Sequence, residues 1–122
     1  MFNNTTAFSG FSVDDLAQAK DFYGGVLGLD VTEDNGMLDL DIADGGHIMI
    51  YPKEDHAPAT FTILNFPVED IDKAADELAN RGVSLIQYEQ FDQDDRGIMR
   101  GEGGPIAWFE DPAGNVLSIL EM

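Results

Sequence analysis

Val13-Asp14-Asp15-Leu16-Ala17-Gln18-Ala19-Lys20-Asp21-Phe22-Tyr23 is the stretch on which the reading of this chain turns. Leu16, Ala19, Phe22, Tyr23, Val26 and Leu27 recur at helical spacing behind an aspartate suited to capping, and Gly28 stops the pattern. Upstream, residues 7–13 alternate as a strand, with Ala7, Phe11 and Val13 on one face and Phe8, Gly10 and Ser12 on the other. Downstream, strands are predicted over 30–33, 37–42 and 47–51, separated by the turn sequences Asp34-Asn35-Gly36 and Asp44-Gly45-Gly46. The order is β-α-β-β-β.

The same order then recurs. Residues 61–68 read as a strand, and residues 70–80 as a helix with Ile71, Ala74, Ala75 and Leu78 on one face and Gly82 as its stop. Strands are predicted over 83–89, about 104–110 and 115–120, with Asp111-Pro112-Ala113-Gly114 as the last turn. Val13, Asp15, Ala19 and Asp21 fall opposite Val68, Asp70, Ala74 and Asp76 at a constant offset. We therefore expect one α+β domain over residues 1–122, built from two βαβββ modules at about 6–52 and 59–122.

Composition narrows the function. With 122 residues, 43% of them hydrophobic, the chain can bury a core of its own; without cysteine it has no disulfides and no thiolate site. A basic leader and a long apolar run are both missing, so a cytoplasmic protein is expected. Twenty-four acids against 6 Lys and Arg give a formal charge of −18, which repels phosphate backbones and anionic lipid and excludes nucleic acid and membrane as partners. That charge is either a general solubility feature or a field that attracts a cationic small molecule.

Val-x-Asp-Leu-x-x-Ala-x-x-Phe-Tyr ending in Val26-Leu27-Gly28-Leu29, with Val68-x-Asp70-Ile71 and Phe109-x-Asp111-Pro112-x-Gly114-Asn115, resembles the vicinal oxygen chelate superfamily, the glyoxalase/bleomycin-resistance/extradiol-dioxygenase type. The resemblance implies two modules whose mixed sheets curl into a cup, commonly in a homodimer. It also implies a set of functions: metal-dependent lyases, dioxygenases and epimerases, thiol transferases, and metal-free proteins that sequester bleomycin. In the metal-dependent members the ligands project inward from the first and last strand of each module. The matching positions here are Phe8, Met49, Ile63 and Ser118, none of which suits a hard or borderline cation. No resident cofactor is predicted.

The remaining candidates line the same faces. Phe8, Ser12, His47, Met49, Tyr51, Phe61, Ile63, Trp108 and Ser118 form the expected ligand-binding set, with packing of the cup or of a partner subunit as the alternative for each. His47 leaves a second alternative open, a displaced divalent-metal site with Glu102, Glu110 or Glu121 in a lyase or dioxygenase, or a general base without metal. Ser9, Ser12 and Ser118 have no base at motif spacing. Arg96 and Arg100 are expected to pair locally with Asp92, Asp94 and Asp95 or to hold an anionic group. The leading expectation is a small-molecule-binding protein without the usual metal ligands, taking an aromatic or cationic compound. A non-catalytic interaction module is the third.

Overall fold

A computed structural model describes residues 1–122, and the chain divides into two compact units, Met1–Pro58 and Ala59–Met122. In the first, β1 (Ser9–Val13), α1 (Leu16–Lys20), β2 (Asp30–Asp34), β3 (Met37–Asp41) and β4 (His47–Pro52) follow one another. The sheet order is β1-β4-β3-β2, with β1 parallel to β4 and the other pairs antiparallel. The second unit holds β5 (Thr62–Val68), α2 (Ile71–Asn80), β6 (Ile106–Glu110) and β7 (Val116–Glu121), in the order β5-β7-β6, again with one parallel pair. The architecture is mixed α+β with two small mixed sheets. No helix is long and apolar enough to cross a membrane.

Local chemistry explains the elements. Asp15 and Asp70 accept the amides of Gln18 and Lys73, so each helix starts at a side-chain cap. At the end of α2, Gly82 takes φ +83°, its amide donates to the Ala79 carbonyl, and the Val83 amide donates to Leu78. This backbone closure needs the left-handed conformation that glycine adopts without a steric penalty. Asn35 and Gly36, with φ of 53° and 75°, make the tight β2–β3 turn.

The expected first helix is modified. After Lys20 it widens into a π-helix over Asp21–Val26, where the Leu27 amide reaches the Phe22 carbonyl. The wider turn lets the consecutive Phe22 and Tyr23 both bury, edge to face at 5.2 Å. They join Val13, Ala19, Leu38, Leu40, Ile48 and Ile50 in the first core. In the second, Ile71, Ala75 and Leu78 of α2 are buried, as are Leu117 and Ile119 of β7.

One expected strand is absent: residues 83–89 carry no strand pairing. Only the Ile86 amide reaches β6, donating to the Trp108 carbonyl at 2.8 Å. The Gln93 side chain anchors the segment, accepting from the Tyr88 amide (2.7 Å) and donating to the carbonyls of Ile86 (2.9 Å) and Gly97 (2.6 Å), and the Gln87 side chain donates to the carbonyls of Asp94 and Asp95. A side-chain amide thus replaces a strand ladder.

Candidate functional site

Alternation gives the first sheet two unlike faces. Val13, Leu38, Leu40, Ile48 and Ile50 are buried, and Phe11 lies 5.7 Å from Tyr23 on that side. The opposite, open face carries Gly10 and Ser12 from β1, Asp39 from β3, and His47, Met49 and Tyr51 from β4. Gly10, Met49 and Asp39 stand in one row, and Ser12 stands beside Tyr51. Phe8, just before β1 and 53% exposed, stacks on the His47 ring at 4.8 Å and 22°. Five of the nine residues nominated from the sequence thus lie together on or beside this face: Phe8, Ser12, His47, Met49 and Tyr51.

Two polar pairs mark the face. His47 Nδ1 lies 2.8 Å from Asp39 Oδ1, and both side chains are part-exposed. Ser12 Oγ lies 2.6 Å from His56 Nδ1, so the serine that had no base at motif spacing has an imidazole partner 44 positions away. Neither partner was nominated from sequence. Asp39 was legible in principle, because it and His47 share the face of one β3–β4 hairpin; His56 was not, because its loop position carries no periodicity.

The other nominees fall in the second unit. Ser118 sits on β7 between Asn65 of β5 and Trp108 of β6. It is fully buried and donates to Asn65 Oδ1 at 2.5 Å. Trp108 packs into an aromatic cluster, stacked on Phe91 at 5.2 Å and edge-on to Tyr88 at 5.5 Å. Burial pushes the Tyr88 phenol above its ordinary range, and the Glu110 charge pushes it the same way. Ile63 is half-buried beside a register shift in β5, and Phe61, 69% exposed, lies just outside that strand.

These residues do not fit a divalent metal at the family's positions. Phe8 and Ile63 offer no donor atom, Met49 offers a soft thioether, and the Ser118 hydroxyl is engaged with Asn65. No three or more His, Asp or Glu side chains gather where they would hold an ion.

The arginines pair only in part as expected. Arg96 reaches Asp76 at 2.6 Å and Arg100 reaches Asp72 at 2.7 Å, both acids on α2, and Arg100 also binds Asp94 at 3.2 Å; Asp92 and Asp95 take no part in these bridges. The acids of one helix face stand over this loop, a proximity that sequence distance hides. The Ile98 amide, then the Arg96 amide and the Arg100 guanidinium, hold the Asp94 carboxyl below the usual carboxylate range against the opposing effect of desolvation.

Comparison with known proteins places the architecture. Residues 5–119 match the family model described as the Glyoxalase/Bleomycin resistance protein/Dioxygenase superfamily. The crystal structure of a glyoxalase family protein from Enterococcus faecalis superposes with TM-score 0.72 at 23% identity, covering 99% of this chain and 100% of that one. TnmS3, an antibiotic binding protein from Streptomyces sp. CB03234, gives 0.67 at 23% identity, with 97% of each chain covered. The fosfomycin resistance protein FosX from Mesorhizobium loti gives 0.67 at 15% identity, covering 98% and 92%. These likenesses are of fold. Among curated proteins, none matches significantly.

Proposed function

The chain belongs to the Glyoxalase/Bleomycin resistance protein/Dioxygenase superfamily, and from that premise we propose that it is a metal-independent small-molecule-binding protein that sequesters an aromatic or cationic compound. The observation that carries this reading is the replacement of ligands by Phe8, Met49, Ile63 and Ser118 while the first sheet keeps an open face with an exposed aromatic and two polar pairs. An apolar floor with a few placed polar atoms is the usual composition of a small-molecule site. The antibiotic-binding protein of the same fold gives the reading a precedent.

The ligand rests on Phe8 and Met49, with His47, Ser12 and Tyr51 supplying polar contacts. The protein works as a cytoplasmic homodimer, a form that the exposed Phe61 favours by offering apolar surface to a second copy.

Equilibrium dialysis against a panel of aromatic, cationic and anionic compounds, with and without EDTA, tests the function. Retention of an aromatic or cationic compound that EDTA leaves unchanged and Phe8→Ala weakens about tenfold or more is the expected result. Binding of no compound, or binding abolished by EDTA, overturns it.

A further inference from the structure

The Asp39–His47 pair fixes more than the position of a ring. An ionised carboxylate only accepts hydrogen bonds, so the 2.8 Å contact requires a proton on Nδ1 of His47. In the neutral imidazole the lone pair then lies on Nε2, and the tautomer is set by the partner of the other nitrogen. Nε2 makes no hydrogen bond within the chain: the only polar side-chain partner of His47 is Asp39, on Nδ1, and its ring contact is the stack on Phe8. The ring is therefore held on one edge and one face. Its side chain remains 37% exposed, which leaves the acceptor edge within reach of a molecule lying on the open face.

The surroundings restrict what that molecule is. Phe8 and His47 stack with nearly parallel rings, and the half-exposed Phe8 ring offers a flat apolar surface that a planar group covers with little loss of conformational freedom. Asp41 stands opposite His47 in the β3–β4 register, Asp39 is bound to the ring itself, and the whole chain carries −18. Negative potential at this place disfavours a carboxylate or phosphate and admits a neutral or cationic group. Resting on the binding reading above, we propose that His47 Nε2 is the recognition point of this site: it accepts a hydrogen bond from a planar neutral or cationic molecule with an N–H or O–H donor, the class of aromatic amidines and phenols. Asp39 is a positioning residue that selects the tautomer.

The full chain has two histidines, so its side-chain ¹⁵N NMR spectrum is simple, and His47→Gln assigns it. Benzamidine, phenol and benzoate serve as probes, at a pH where the His47 ring is neutral. In the free protein the His47 spectrum should show a protonated Nδ1 and a bare Nε2. Benzamidine and phenol should then shift Nε2 while benzoate at equal concentration leaves it in place. Asp39→Asn, whose amide also donates and so releases the tautomer, should weaken benzamidine binding about tenfold. A protonated Nε2 in the free protein overturns the proposal, as does an equal response to benzoate or no response to either donor. Compounds retained in dialysis without any shift of Nε2 sink this assignment alone, whereas a protein that retains no compound sinks the binding reading itself.

Discussion

The two units solve the same topological problem with different chemistry. The first closes the β3–β4 connection over residues 42–46 with a backbone bond from the Ile42 amide to the Gly46 carbonyl and little else, around exposed side chains. The second makes the matching bond from Asp111 to Asn115 and adds a buried carboxylate, with Asp111 accepting from the amides of Ala113 and Asn115 and from Asn115 Nδ2. A similar division holds at the sheet edge. The first unit has β2 as a fourth strand, while the second has residues 83–89 held by Gln93. Backbone ladders and hairpins depend on local sequence, whereas side-chain anchors depend on single residues. The second unit should thus be the more vulnerable to point substitution.

The largest contrast is expected at the turns. Asp111→Ala leaves buried donors without their charged acceptor and should cost about 3 kcal/mol. In the first unit, Asp44→Gly removes an exposed side chain from a residue at φ 66° and should change stability by less than about 1 kcal/mol. Urea unfolding of both variants checks the pair, and equal costs would break the comparison. A smaller effect, about 2 kcal/mol, is expected for Gln93→Ala, which removes three bonds to the backbone of residues 86–97. Amide exchange at Tyr88 should accelerate in this variant, while exchange within β2 stays unchanged.

The smallest effect concerns pH. A carboxyl whose folded pKa lies below its unfolded value stabilises the fold above the unfolded value, ordinarily 3.8 for aspartate. That contribution disappears as the pH falls through the lower folded value. Asp94 fits this case, so acidification through that window should loosen the Ile98 amide and the Arg100 bridge before the first unit responds. Hydrogen exchange at Ile98 measured across the window, with Asp94→Asn as comparison, follows it.

Much of the fold was legible because apolar periodicity and capping residues act locally. The helix beginning after Asp15, the Asn35-Gly36 turn and the Gly82 stop are each decided by a few neighbouring residues. The strand expected over residues 83–89 failed because alternation reports which faces are apolar, not which group satisfies the backbone, and Gln93 carries no periodic signal. The candidate site was half legible. Its apolar members, Phe8 and Met49, followed from alternation and family spacing, whereas the partners that give His47 and Ser12 their chemistry, Asp39 and His56, depend on register and on a loop path. For the same reason the α2 acids Asp72 and Asp76 were missed as partners of Arg100 and Arg96, while of the sequence neighbours only Asp94 keeps an ion pair, with Arg100.

The central proposal is that the open face of the first sheet binds its ligand without a metal. Elemental mass spectrometry of the full chain tests it most directly, after incubation with nickel, zinc, iron or manganese and removal of loosely held ion by desalting. The account predicts far less than one equivalent of any of them per chain, with compound retention in dialysis the same before and after. Close to one equivalent that is lost on replacing His47 with alanine would contradict it and identify the Asp39–His47 pair as part of a displaced metal site.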